Sequence, residues 1–227
     1  MLKKLVSLLL VVALLSVSTF SSVFAADNKN DIKKEGVITI TDSDYDTMIK
    51  TGKPVYLGDN TWAKIVTFDE MVSEVAKNKG ISASEERSQI LSSELNDKNI
   101  LTNNNDDIFY VHFYKQFEVG NTGWYPQLDI YVKCQGPYRD FIGISDLNLI
   151  RSYNYISKQF SGKCQAKVES VKRIYWVVNG DFYNNGSTSW SFGGSVGIGQ
   201  YATLTFSISE ASNYFGYAYN YGYVENR

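Results

Sequence analysis

The chain has 227 residues, of which 44 % are hydrophobic, 15 % aromatic and 20 % charged, with a net charge of −2. That length suffices for a buried core, and the mild acidity lacks the electrostatic footprint of a nucleic-acid or anionic-lipid binder. Three prolines and 17 glycines exclude collagen-like and proline-rich disordered chains.

Lys3 and Lys4 precede an apolar run from Leu5 to Leu15 broken only by Ser7, and Val23 and Ala25 stand at −3 and −1 of a cut before Ala26. This is the layout of a secretory signal peptide over residues 1–25. The remaining ~202 residues carry 20 basic against 24 acidic side chains, a net −4. No second apolar run approaches the ~20 residues of a membrane helix, so no transmembrane anchor is expected after signal removal. The polar end Glu225-Asn226-Arg227 holds no sorting or lipid-anchor signal, and a secreted, extracellular protein is predicted. Outside the reducing cytosol, Cys134 and Cys164 are expected to form one disulfide. It would close a loop of about 30 residues, worth roughly 3.5–4 kcal/mol.

In chain order, residues 26–35 are polar and charged and read as a flexible lead-in. Gly36–Thr41 (GVITIT) is a short β-branched strand. Asp42-x-Asp44-x-Asp46 opens like a calcium loop, but Thr47 replaces the required glycine and Lys53 the twelfth-position glutamate. The better reading is a solvated acidic turn, with no metal. Residues 54–57 and 62–66 suit a hairpin around Gly58-Asp59-Asn60. Thr67 and Glu70 then form a capping box, with Met71, Val72, Val75 and Ala76 on one helical face and Gly80 as terminator. Ser82 and Glu85 repeat the box before Ile90, Leu91 and Leu95. Two helices joined at Lys79-Gly80-Ile81 predict an αα-hairpin, followed by an Asn/Asp-rich linker to Asp107.

From Ile108 the pattern becomes β. Phe109, Val111, Phe113, Phe117 and Val119 alternate with polar residues, the row interrupted by Lys115. Near 126–135, Leu128, Ile130, Val132 and Cys134 point one way, and Gln127, Asp129, Tyr131 and Lys133 the other. Further strands are predicted near 139–145, 162–169, 173–179, 187–192, 200–209 and 214–224. Asn179-Gly180 carries the composition of a type I′ hairpin turn, and Asn185-Gly186 is another candidate. Ala202, Leu204, Phe206 and Ile208 form an inward row. The expected fold class is α+β: an N-terminal region over 26–107 with the helical hairpin, then a disulfide-tied, mainly antiparallel β-sandwich over 108–227.

Catalytic groups are sparse. His112 is the sole histidine, flanked by Tyr110 and Tyr114, and reads as a surface or rim residue. With both thiols bonded, a cysteine nucleophile and a zinc site are not expected. No nucleotide-binding glycine motif or nucleophile elbow occurs. Residues 72–91 have a superficial helix-turn-helix spacing, but Glu86 falls on a position such motifs fill with an apolar residue, so nucleic acid is not an expected partner. No cofactor is implied.

The aromatic rows carry the functional signal. In 214–224, Phe215, Tyr217, Tyr219, Tyr221 and Tyr223 alternate with Gly216, Ala218, Asn220, Gly222 and Val224. Such a ladder either packs in the sheet core or forms an exposed platform of rigid rings with polar tips. Tyr217, Tyr219 and Tyr221, extended by Trp124 and Trp190 beside turns, are the candidate binding residues.

The segments ISKQF (Ile156–Phe160), IYWVVNGDFYNNG (Ile174–Gly186) and GIGQYATLTFS (Gly197–Ser207) resemble a group of small secreted proteins of Gram-positive bacteria with no assigned function. The similarity covers roughly 108–227. It implies export and one β domain, and brings no catalytic residue with it. The functional expectation is a non-enzymatic binding module acting outside the cell or at the envelope, on a glycan or protein surface. The alternatives are a secreted hydrolase using two carboxylates, or a membrane-active toxin inserting an amphipathic hairpin.

Overall fold

A computed structural model describes residues 36–96, 108–194 and 201–227. The predicted signal peptide, the lead-in and most of the Asn/Asp-rich linker lie outside the described residues. Among those residues the fold mixes α and β and is dominated by strands, with three helices and sheets that are antiparallel except where β1 joins β11.

β1 (Gly36–Ile40) leads into α1 (Asp42–Thr51). Thr41 caps α1: its N–H donates to Asp44 Oδ2 at 2.8 Å, and its Oγ1 accepts from the Asp44 N–H at 3.4 Å. The predicted acidic turn is therefore the first turn of a helix, where carboxylates complement the helix dipole. Asp42 and Asp46 also hold Arg139, the latter at 3.1 Å. β2 (Val55–Gly58) and β3 (Thr61–Val66) form the expected hairpin, with Asp59 and Asn60 both at positive φ (43° and 49°), as a type I′ turn requires.

α2 (Phe68–Lys79) starts on the Thr67–Glu70 capping box and stops at Gly80, whose φ is 71°. α3 (Ala83–Asn96) follows. Met71, Val72, Val75 and Ile90 from these helices pack with Tyr110 and Tyr131 in one cluster. The helices thus cover the outer face of the strands that follow. This explains why Asp129, Tyr131 and Lys133, assigned by alternation to the face opposite the core, are buried.

β4 (Ile108–Gln116), β5 (Gln127–Gln135) and β6 (Asp140–Ile150) complete a sheet ordered β2-β3-β4-β5-β6. After the short pair β7 (Ser152–Tyr153) and β8 (Ile156–Ser157), β9 (Gln159–Ser170), β10 (Arg173–Gly194) and β11 (Tyr201–Asn226) form a second sheet ordered β1-β11-β10-β9. A single core cluster draws on the inward rows of both sheets. Residues on either side of position 107 share both sheets, through β3–β4 and β1–β11, and the described residues belong to one compact unit.

Asn179-Gly180 is not a turn. β10 runs through it unbroken, and Gly180 pairs with Gly162 of β9 and with Ala218 of β11. A Cβ at Gly180 would stand 2.3 Å from Ser161 O and 2.6 Å from the Phe160 ring. The glycine answers a close approach of backbone and ring, a demand that local sequence does not distinguish from a turn. The predicted strands at 173–179 and 187–192 are likewise parts of one strand, as are 200–209 and 214–224.

The expected Cys134–Cys164 disulfide is not formed: both are buried free thiols. Both side chains point inward, as alternation predicts, but at different levels. Cys134 pairs with Phe141, whose N–H donates to Val171 O at 2.8 Å, just past the end of β9. Cys164 lies seven residues back, roughly 23 Å along an extended strand, whereas a disulfide needs Cα atoms within ~7 Å. Burial pushes both thiols well above the usual range, and so keeps them protonated.

Candidate functional site

The tyrosine row of β11 faces outward. Tyr217 and Tyr219 are 48 % and 38 % exposed, Tyr221 and Tyr223 are half-buried, and Gly216, Ala218, Asn220, Gly222 and Val224 between them are buried. Space on the inner side dictates this choice. A Cβ at Gly222 would meet Gly36 O at 2.7 Å and the Trp176 ring at 3.1 Å, and one at Gly216 would meet Val119 Cγ1 at 2.9 Å. The inner row must be small, so the large rings stand on the outer row.

β10 widens the platform. Tyr175 pairs with Tyr223, Asn179 with Tyr219 and Asp181 with Tyr217. The Tyr175 and Tyr223 rings lie 5.3 Å apart, Tyr219 and Tyr221 5.4 Å, and Tyr183 and Tyr214 5.9 Å. Tyr217 OH donates to Asn179 Oδ1 at 2.9 Å, and the Arg173 guanidinium lies 3.7 Å over the Tyr223 ring. Partial burial, then the charge of Asp181, raises the pKa of Tyr214 and Tyr217. Their phenols stay neutral and able to donate hydrogen bonds.

Tyr221 also borders a cavity of about 380 Å³ lined by Asp59, Lys115, Glu118, Trp176 and Asn220 among others. This accounts for the lysine that interrupts the inward row of β4. Lys115 Nζ lies 2.6 Å from Asp59 Oδ2, donates to the Asp59 carbonyl, and sits 6.0 Å over the Trp176 ring. The outer tyrosine face and this polar, aromatic-walled cavity share an edge.

Trp124 does not extend the face. Trp124 is 4 % exposed; its Nε1–H donates to Ile156 O at 3.2 Å, and its ring abuts Phe182 and Phe215. It is a core prop that anchors the β7–β8 turn. The backbone of Trp190 pairs with Phe206, while its side chain lies outside the described residues.

Sequence reasoning missed two polar clusters under the helices. His112 is not a surface residue. It stacks on Tyr131 with centroids 4.1 Å apart, with Nδ1 3.5 Å from Glu74 Oε2 and Nε2 3.2 Å from Asp129 Oδ1, the latter contact off the line of a good hydrogen bond. Burial lowers its pKa, but Asp129 and Glu74 outweigh burial and the net direction is up. Nearby, Lys79 Nζ lies 2.9 Å from Glu86 Oε1 and 3.0 Å from Asp146 Oδ1, both carboxylates being fully buried. Burial pushes Asp146 up to about 6 against the pull of Lys79. The signal for this cluster was Glu86 itself, a charge on a core position of the helix pair. Both clusters tie helix to sheet; the His112 cluster lines none of the described cavities, whereas Lys79 borders a small one of about 70 Å³ together with Leu147, Arg151, Leu204 and Phe206. Compared with known families, curated proteins and solved structures, the chain matches none.

Proposed function

We propose that this chain is an extracellular, non-enzymatic binding protein that meets a glycan surface through the tyrosine face of β10 and β11. We read the architecture as a β-sandwich with a helical hairpin laid on one outer side, leaving the opposite side for contact. One observation carries the reading: Tyr217 and Tyr219 are solvent-exposed on a strand whose intervening residues are buried. The face is therefore built by the fold. Rigid rings with polar tips suit stacking on sugar rings and hydrogen bonding to their hydroxyls. The signal-peptide layout predicted from residues 1–25 and the resemblance to small secreted proteins support an extracellular site.

Pull-down on insoluble cell-wall polysaccharide tests it. The double variant Tyr217→Ser, Tyr219→Ser should bind at least tenfold more weakly. Its unfolding midpoint should move only modestly, since each half-exposed ring gives up cross-strand contacts worth about 0.2–1 kcal/mol. Undiminished binding by the variant would refute the reading. Capture of proteins alone would move the partner to a protein surface.

The cavity supports a second reading. Asp59 and Glu118 both line it, the two carboxylates that a glycoside hydrolase needs. Asp59 is held by Lys115, and Glu118 Oε1 accepts the Gly123 N–H at 2.9 Å. Release of reducing ends by the wild type and not by Glu118→Gln would favour it.

A further inference from the structure

The paired arms of β10 and β11 beyond the tyrosine face differ chemically from the rest of the chain. Residues 182–209 contain no Asp, Glu, Lys, Arg or His, where a chain that is 20 % charged would place about five or six in 28 positions. Beyond Gly186 the two rows differ in kind, apart from Thr188 and Gly194 on the apolar row. Even positions hold Trp190, Phe192, Ala202, Leu204, Phe206 and Ile208. Odd positions from Ser187 to Ser195 and from Thr203 to Ser209 hold only Ser, Thr and Gly. The arms pair antiparallel from Asn185↔Ser212 to Gly194↔Ala202, ten residues against eleven, with Glu210, their one charged residue, in the bulge at the root. A strand crossing a bilayer needs ~9–11 residues, apolar toward lipid and polar toward the lumen.

The fold stows these arms. The register shifts between Phe182 and Tyr183 and between Asn185 and Ser187, and Gly186, Glu210 and Asn213 take positive φ (122°, 54° and 56°). Bulges of this kind bend a hairpin. Beyond the bend, Tyr201–Phe206 pair with Gly162–Lys167 on the edge of β9 opposite to β10. The doubled-back arm buries Ala202, Leu204 and Phe206, with Phe206 edge-on to Phe160 at 5.3 Å. Its hold is short: six backbone pairs, with Gln165 Nε2–H donating to Thr203 Oγ1 at 3.2 Å. At the root of the arms stand Tyr183 and Tyr214, and near their far end Tyr201, which is 51 % exposed. Aromatic residues at both ends of the crossing are the girdles of membrane barrels.

We propose that the paired arms 185–194 and 202–212 are a membrane-inserting element that leaves the edge of β9 and crosses a lipid bilayer as two strands of a β-barrel assembled from several copies of this chain. Several copies are required because one hairpin leaves two unpaired edges, which hydrocarbon does not tolerate. The row of Ala202, Leu204, Phe206 and Ile208 turns to lipid while Glu210 stays at the bulged root, and the Ser/Thr/Gly row lines water.

Dye release from phosphatidylcholine–cholesterol vesicles and from phosphatidylethanolamine–phosphatidylglycerol vesicles tests this, the two compositions showing which bilayer type is taken. Gln165→Cys with Thr203→Cys places a disulfide between directly paired residues. The oxidised form should release dye at least tenfold more slowly than wild type, and reduction should restore the rate, which controls for folding. Ile208→Glu lies on the apolar row at a half-exposed position, so the folded protein tolerates it while release is lost. Ser207→Lys, on the polar row, should keep release and shift the pore toward anions. No release from either vesicle type at micromolar protein, or equal release by oxidised and reduced locks, overturns the proposal. Neither result bears on glycan binding by Tyr217 and Tyr219.

Discussion

Replacing Gly180 with alanine tests how the core of the β9–β10 pair is built. The added Cβ would stand 2.3 Å from Ser161 O, 2.6 Å from Phe160 Cζ and 2.7 Å from Phe160 Cε2. Ordinary van der Waals contact begins about 1 Å farther out than the first of these. The carbonyl belongs to β9, whose register with β10 is unshifted from Ile174 to Tyr183, so it cannot step aside alone. The ring has little room either: Phe160 is fully buried, 4.6 Å from Phe182 and 5.3 Å from Phe206. Overpacking costs ~1–3 kcal/mol, and a rigid neighbour puts Gly180→Ala at or above the upper end. Loss of unfolded-state freedom returns roughly 0.4–1 kcal/mol, for a net of about 2–3 kcal/mol. At ~2–4 °C per kcal/mol for a domain of this size, Tm should fall by roughly 5–10 °C. Gly80→Ala is the control. Its backbone, unlike that of Gly180, is left-handed (φ 71°), and nothing lies within 4 Å of its Cβ, so only left-handed strain of ~1–2 kcal/mol applies. Urea unfolding followed by circular dichroism measures both. Were Gly180 a hairpin-turn residue, the two variants would lose equally. A Gly180→Ala cost no larger than that of Gly80→Ala refutes the reasoning.

The His112 cluster predicts a pH dependence. A histidine whose folded pKa is raised adds stability that is complete below the unfolded value near 6.5 and lost as pH rises through the folded value. The urea midpoint should therefore fall on going from about pH 6.5 to 8.5, and His112→Asn should flatten that slope; an unchanged slope counts against the clamp. Asp146 acts lower: a raised carboxyl makes stability fall as pH rises from near 4 to about 6, so Asp146→Asn should flatten the profile there while Lys79 loses a partner. The cysteines predict a count. Ellman's reagent should find two thiols per chain in guanidinium and none in the folded protein, whereas a disulfide would give none in either state.

Alternation made most of the β region legible, because the pleat forces successive side chains to opposite faces. It placed the inward rows at Val111–Phe113, Leu128–Cys134 and Ala202–Phe206, all of which are buried. Capping chemistry placed α2, since Thr67 and Glu70 satisfy each other's backbone groups locally. What failed were features set by distant neighbours. Gly180 is small because of Phe160 and Ser161, and Trp124 is buried because the β7–β8 turn folds over it. Cys134 and Cys164 share a core but not a level, and strand offset is invisible to periodicity. The tyrosine row was legible as a row. Its outward orientation required Trp176, Val119 and Gly36 to occupy the inner side, a fact of packing rather than of pattern.

The tyrosine face and the paired arms lie on the same two strands, separated by the bulges near Tyr183 and Asn213. A chain held at a surface by the first presents the second at an effective concentration far above that in solution. The two proposals therefore combine into one expectation about dose. On vesicles carrying a glycolipid whose sugar the face binds, Tyr217→Ser with Tyr219→Ser should move the dye-release curve to higher protein concentration by about the factor lost in binding, with the same final extent. On bare lipid the variant and the wild type should coincide, because neither is captured. The oxidised Gln165→Cys, Thr203→Cys lock should suppress release at every concentration on both kinds of vesicle. A tyrosine variant that lowers the final extent, or shifts the curve on bare lipid, would show that the rings take part in insertion itself and that the division of labour at the bulges is wrong.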